Sequence, residues 1–185
     1  MGRPQSVILA SASPRRRELL SGAAFDVVVR PQDADERWPP GDVYVGVVDI
    51  ARRKLDALGP SDEVCIAADT TVVLDHHRLG KPADVTEAER MLEQLSGREH
   101  TVVTGYCVRR GGEWRTGHVS TKVRFRALSS AELKRYASTG ESLDKAGAYG
   151  IQGLGMALID RIDGSFTNVV GLPLTEVIRA IEELS

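Results

Sequence analysis

The residues best suited to chemistry lie in Val64–Pro82, VCIAADTTVVLDHHRLGKP. Five small or apolar residues, Val64 to Ala68, lead into a carboxylate, Asp69, and two hydroxyls, Thr70 and Thr71. Gly80-Lys81-Pro82 then sets a cation on a stiff loop. A positioned carboxylate can take a proton from an attacking water, and a lysine can offset negative charge on a phosphate. The plainer alternative is an aspartate that closes a turn and a solvated lysine, since Asp and Thr are common where strands stop. A second candidate is Ser13-Pro14-Arg15-Arg16-Arg17, with Ser13 as a helix N-cap and Pro14 at the first helical position. Its three arginines oppose the helix dipole, and only Glu18 compensates nearby. An external anion such as phosphate would resolve that conflict; solvated arginines on a surface helix are the alternative. Asp33, Asp35 and Glu36 offer oxygen ligands to a hard cation if one is needed, and are otherwise a solvated acidic cluster.

The elements that must position these groups follow from periodicity and stop signals. Val64–Ala68 reads as a strand buried on both faces that ends at Asp69. Ligands collect beyond the carboxyl ends of strands in open α/β sheets. Ser6–Ala10 and Phe25–Val29 read as strands flanking a helix that stops at Gly22. Asp42 caps a predicted helix through Leu58, with Val47, Ile50, Ala51, Leu55 and Leu58 on one face and Gly59-Pro60 as its stop. Lys54 falls beside that stripe, either reaching inward from its edge or snorkelling to solvent. Asp75-His76-His77 reads as a turn. Asp84 and Glu87 have capping-box spacing for a helix ending at Gly97, and Ser129 and Glu132 for one ending near Ser138. Thr101–Val108 and Thr116–Phe125 read as an antiparallel pair about Gly111-Gly112. Glu141–Gly155 has no clean period and is dense in glycine, which lets backbone approach a ligand. Met156–Ile162 reads as a strand, Gly164–Pro173 as a loop and Thr175–Leu184 as a closing helix. The mixture predicts α/β or α+β architecture around a mixed sheet.

Composition narrows the function classes. The 185 residues predict a single domain over 1–185, and 42% hydrophobic with 27% charged residues is ordinary for a globular protein. A net charge of -2 provides no basic footprint for nucleic acid. No apolar run approaches a membrane span, and Val7–Ala10 is too short for a secretory signal core, so a cytoplasmic location with no membrane partner is expected. Cys65 and Cys107 sit in apolar runs and are expected as buried free thiols. With no CxxC pair and no HExxH, a structural zinc site is not expected, and His76, His77, His100 and His118 read as structural or solvated. The absence of GxxxxGK[ST], GxGxxG and GxSxG leaves no support for a P-loop, a dinucleotide site or a serine nucleophile.

Taken together in order, LASASPRRRELL, ADERW, ARRKLDAL, AADTTVVLDHHRLGKP, LSGREHTVVTGYCV, LDKAGAYGIQG and VVGLPL resemble the Maf family of nucleoside triphosphate pyrophosphatases, also called septum formation inhibitor proteins. The resemblance covers the chain from about Ser6 to its last helix. It implies an inosine-triphosphatase-like α/β (mixed α+β) fold: a long twisted mixed sheet flanked by helices, with two lobes around a deep cleft, in a homodimer. It also implies hydrolysis between the α and β phosphates, aided by a divalent cation, Mg²⁺ or Mn²⁺.

By the same resemblance, Asp69 is the general base. Glu36 and Asp69 face the metal, and Arg15, Arg16, Lys54 and Lys81 hold phosphates. Ser13 and Lys145 fall at matching substrate-binding positions, and Arg15, Thr70 and Gln152 match those that choose the base. LDKAGAYGIQG resembles the branch acting on dTTP and UTP, rather than that acting on 7-methyl-GTP, and a glutamine amide can match a pyrimidine's donor and acceptor edge. A local departure is Leu55, where alanine more often follows the lysine; Lys54 itself is intact. The competing readings are a nucleotide-binding regulator of division with little catalysis and a pyrophosphatase of the inosine or xanthosine type.

Overall fold

The computed structural model describes residues 4–185. The chain forms two compact units. One holds the chain up to Thr70 with Thr104–Val119 and Gly171–Ser185; the other holds Thr71–Val103 and Ser120–Val170. Seven strands share one sheet: β1 (Ser6–Leu9), β2 (Asp26–Val29), β3 (Cys65–Leu74), β4 (His77–Leu79), β5 (Glu99–Arg110), β6 (Glu113–Phe125) and β7 (Ile159–Asp163). Their order is β2-β1-β3-β5-β6-β7, with β4 paired to β3 off this path. Because β1 lies parallel to β2 and β3 while β4 and β7 pair antiparallel, the sheet is mixed, as the alternating elements predict.

In the first unit, β1 is flanked by α1 (Pro14–Gly22), α2 (Val43–Ala57) and α6 (Leu174–Glu183). The period-two alternation of β3 divides its core. Val64, Ile66 and Ala68 pack with Leu20, Val177, Ala180 and Ile181, whereas Cys65 and Ala67 pack with Ala51 and Leu55 of α2. One face of β3 therefore meets α1 and α6, and the other meets α2. Both cysteines are buried free thiols, and burial pushes Cys107 up to about 12, out of reach of thiolate chemistry.

In the second unit, α3 (Val85–Leu95) and α4 (Ser130–Ala137) cover a core of Val72, Leu92, Leu95, Phe125, Leu133 and Tyr149. Asp84 accepts from the Glu87 amide at 2.8 Å, but Glu87 reaches back to Ala83 at 2.7 Å, one residue before the cap. The Ser129–Glu132 box closes reciprocally, as its spacing predicts.

Several boundaries differ from the sequence reading: β5 and β6 run longer than Thr101–Val108 and Thr116–Phe125, at Glu99–Arg110 and Glu113–Phe125. β3 does not stop at Asp69 but continues to Leu74, because β-branched Thr70, Thr71, Val72 and Val73 favour extended backbone and Thr71 and Val72 are buried. The turn is then Asp75-His76 alone, both at positive φ, and His77 already pairs with Leu74. Met156–Leu158 is not strand: it belongs to a 3₁₀ helix, Gly153–Leu158, that leaves Met156 62% exposed, so β7 begins at Ile159. The predicted loop after Gly164 contains a short helix, α5 (Phe166–Val170). Tertiary bonds fix it: Asn168 Nδ2, fully buried, donates to the Val102 carbonyl at 3.1 Å and to Thr121 Oγ1 at 2.9 Å.

Candidate active site

β3 pairs with β1 only through Ile8↔Cys65 and Leu9↔Ile66, so it outruns its parallel neighbour. Asp69 and Thr70 emerge just past that end. Asp69 thus lies within a strand yet beyond the carboxyl end of β1, which keeps the expected position by a different route. Asp69 shares the face of Cys65 and Ala67, toward α2. There Lys54 donates to Asp69 Oδ1 at 2.9 Å and also pairs with Glu36 Oε1 at 3.0 Å. The Lys54 and Asp69 side chains are 10% and 17% exposed and Glu36 is 54% exposed, so two carboxylates from distant segments meet one ammonium at the edge of the solvent. Lys54 reaches inward rather than snorkelling.

Each member is held from behind. Arg53, next to Lys54 on α2, donates to the carbonyls of Asp35 at 2.7 Å and Arg37 at 2.9 Å, bracketing Glu36 by its backbone. Asp35 in turn pairs with Arg37, whose hydrogen bonds hold its carboxyl far below the usual carboxylate range. Trp38 lies over Gly46, where an added Cβ would meet the indole at 2.7 Å. Gly105 of β5 lets α2 approach: a Cβ there would meet the Val47 carbonyl carbon at 2.4 Å. The acidic loop is therefore divided, with Asp35 committed to arginines and Glu36 presented to Lys54.

Thr70, one residue on, faces the opposite way and meets α1. Arg16 donates through Nη2 to Thr70 Oγ1 at 3.2 Å, through Nε to the Gly171 carbonyl at 2.8 Å, and through Nη1 to Ser11 Oγ at 3.1 Å. Thr70 Oγ1 also lies 2.9 Å from Thr104 Oγ1. Ser13 caps α1 by accepting from the Arg16 amide at 3.5 Å. Withdrawal from water lowers the Arg16 guanidinium below the ordinary arginine range. Asp69 and Glu36 act in the raising sense and Arg15 in the lowering sense, so Arg16 feels the acid cluster as well as its own neighbours. Arg15 is half-buried on the same first turn.

The remaining predicted residues lie in the second unit. Lys81 is exposed beside Gly80, whose carbonyl accepts from the Gly147 amide at 3.0 Å. The GKP loop thus lies against the turn of AGAY. Gly147 and Ala148 both have positive φ, at 69° and 61°, and a Cβ on Gly147 would meet Val72 at 2.9 Å. Lys145 folds onto the Glu141 carbonyl and Asp144 Oδ1, each at 2.5 Å. Gln152 is half-buried at the cap position of the 3₁₀ helix.

Sequence reasoning singled out neither Ser11 nor Thr104, both buried partners of this arginine–threonine cluster. Ser11 stands two residues before Ser13 in the motif and carried a usable signal; Thr104 sits in an apolar strand and carried none. Among the described residues, no group of three or more His, Cys, Asp and Glu side chains forms a metal cage, and no helix is long and apolar enough to cross a membrane.

Residues 6–184 match the family model described as Maf-like protein. A protein of Pyrococcus furiosus named dTTP/UTP pyrophosphatase is 47% identical over 96% of this chain and 95% of its own length. Its namesakes from Anaeromyxobacter dehalogenans and Deinococcus radiodurans are 50% and 47% identical, covering 92% and 95% of this chain and 89% and 91% of their own lengths. Among solved structures, the Staphylococcus aureus Ham1 protein is 15% identical over 97% of this chain and 95% of its own, with a TM-score of 0.47. With the family model matching nearly the whole chain and such relatives beside it, this chain belongs to the Maf family.

Proposed function

We propose that this chain hydrolyses nucleoside triphosphates, dTTP and UTP foremost, to the monophosphate and pyrophosphate. The observation that carries the reading is the junction of Lys54 with Glu36 and Asp69, two carboxylates around one cation at a strand end. The names of relatives that match nearly the whole chain support the substrate pair. The donor set also fits a hard divalent cation, because the converging ligands are carboxylate oxygens with no thiol or imidazole among them. Glu36 and Asp69 would hold the ion, Mg²⁺ or Mn²⁺, which when bound supplies positive charge at the phosphate oxygens.

The chain's own groups account for the remainder. Asp69 accepts the proton of the water that attacks the α-phosphorus, and the bond to the bridging oxygen breaks as pyrophosphate leaves. A positioned base of this kind contributes about 10²–10⁴-fold. Lys54 holds the Asp69 carboxylate in place and offsets charge that grows on the phosphates; Arg15, Arg16 and Lys81 extend that role, and Ser13 fixes the turn that carries the arginines. Arg16 is already oriented by Ser11, Thr70 and Gly171, so little reorganisation accompanies substrate binding. Gln152 reads the pyrimidine edge, with Lys145 in the same segment; Arg15 and Thr70 stand at further positions assigned to base choice.

Pyrophosphate release from dTTP, UTP, CTP, dITP and 7-methyl-GTP with Mg²⁺ tests the reading in wild type and Asp69→Asn. Fast turnover of dTTP and UTP, lost by about 10²–10⁴-fold in the variant while nucleotide binding persists, is expected. Turnover confined to dITP or 7-methyl-GTP would overturn the substrate assignment, and an active Asp69→Asn would overturn the base.

A further inference from the structure

The segment that carries Gln152 has little regular structure, yet it is fixed from beneath by two side chains. Tyr136, on α4, is buried; its hydroxyl accepts from the Gly150 amide at 3.1 Å and donates to Glu141 Oε1 at 2.9 Å. The Glu141 carboxylate also accepts from Leu154 N at 3.1 Å and Gly155 N at 3.2 Å. It therefore caps the first turn of the Gly153–Leu158 helix, whose amides would otherwise lack acceptors. Gln152 lies between the two anchor points, two residues from Gly150 and two from Leu154.

The packing around these anchors leaves little slack. A Cβ on Gly155 would meet the Gly150 carbonyl at 2.0 Å and the Tyr136 hydroxyl at 2.9 Å, and one on Gly153 would meet Glu141 at 2.8 Å. Lys145 ties the Glu141 backbone at 2.5 Å. α4 itself is pinned by its capping box and by Arg126, which donates to Glu132 at 2.7 Å. Burial raises the Tyr136 phenol above its ordinary range, so the hydroxyl keeps its proton throughout working pH. Tyr136 also packs in the second unit's core with Val72 and Phe125, whereas the Glu141 carboxylate bonds bear on one short segment and the side chain in its middle.

We propose that Tyr136 and Glu141 are positioning residues for base selection, a clamp that fixes the backbone on both sides of Gln152. The inference rests on the reading of Gln152 as the base-reading side chain. Selectivity is then distributed: Gln152 supplies the donor and acceptor, and the clamp supplies their direction. An amide that can swing by a fraction of an ångström pairs with more than one pyrimidine edge.

The test is the ratio of kcat/KM for dTTP to that for CTP, measured in Tyr136→Phe, Glu141→Gln and Gln152→Ala, and in the double variants that join each clamp change to Gln152→Ala. Each clamp variant should lower the ratio about fivefold, the value of one lost hydrogen bond, through KM for dTTP with kcat nearly unchanged. Neither should lower it further once Gln152 is alanine, because residues that act through one another are not additive. Thermal melting run alongside separates a merely structural role, which lowers stability and active fraction for both nucleotides and leaves the ratio alone. An unchanged ratio in both clamp variants overturns the clamp while Gln152→Ala still speaks for the base reading. An equal loss in the Gln152→Ala background also overturns it. An unchanged ratio in Gln152→Ala itself removes the base reading and the clamp with it. Should Tyr136→Phe fail to fold, Glu141→Gln answers the same question.

Discussion

Replacing Lys54 by methionine keeps the length of the side chain and removes one charge from between two carboxylates. The ammonium lies 2.9 Å from Asp69 and 3.0 Å from Glu36, so its loss changes the charge of the group from one net negative to two. A unit charge and a divalent ion about 4 Å apart interact by about 2 kcal/mol in water and several times more in a protein interior. Glu36 is 54% exposed, so the lower value applies, which corresponds to about thirtyfold tighter binding of a divalent cation. The nucleotide-free variant should also be less stable by about 2 kcal/mol, below the cost of stranding a fully buried charge because water reaches Glu36. That is about 4–8 °C in Tm for a chain of this size, recovered on adding metal. Titration calorimetry with Mn²⁺ on nucleotide-free protein, with melting curves in parallel, measures both effects. If Mn²⁺ binds Lys54→Met no more tightly than wild type, Glu36 and Asp69 are not the ligands and the reasoning fails. Turnover should fall in spite of tighter metal binding, because the variant lacks a cation for the phosphates.

Gly105→Ala should destabilise by about 2–3 kcal/mol, since its Cβ would press on α2 backbone that has no rotamer to yield; a melting curve with no loss would show that α2 shifts freely. His100 is buried against Tyr149, 2.7 Å from its hydroxyl, and burial lowers it from 6.5 to about 4. The unfolded chain then binds a proton that the folded chain does not, so stability is complete above about pH 6.5 and is lost as pH falls toward 4, by roughly 3 kcal/mol. In His100→Gln the slope of unfolding free energy across that interval should flatten, which denaturant titrations at several pH values would reveal.

Much of the scaffold was legible in the residues. The caps at Ser13, Asp42, Asp84 and Ser129 all stand where their spacing places them, because a cap is a local bond between near neighbours. The apolar stripe of α2 and the buried thiols were equally plain, since burial follows side-chain type. What escaped was set by partners far along the chain. The β-branched run from Thr70 allows β3 to continue, but the burial of Thr71 and Val72 that holds it there is tertiary, and nothing in FTNVV demands a helix until Asn168 finds Val102 and Thr121. Met156–Leu158 reads as strand by composition, but the two glycines beside it and the Glu141 cap turn it the other way. In the site, Glu36 and Lys54 were visible as types, and their meeting was not. Arg53 makes it possible by gripping the backbone on both sides of Glu36, a role with no motif.

The division of β3 into two faces has a consequence for how this chain can vary. Asp69 and Thr70 serve opposite sides of the sheet only because they occupy consecutive places in a pleat, so the assignment depends on whether the count of residues before them is odd or even. Deleting a single residue between Val64 and Ala68 would send the threonine toward Lys54 and the aspartate toward Arg16, with every side chain still present. Substitutions along β3 change what the strand offers, whereas a change of length by one exchanges its two addresses. Only changes of length by two would restore the facing, at the cost of moving the pair along the strand.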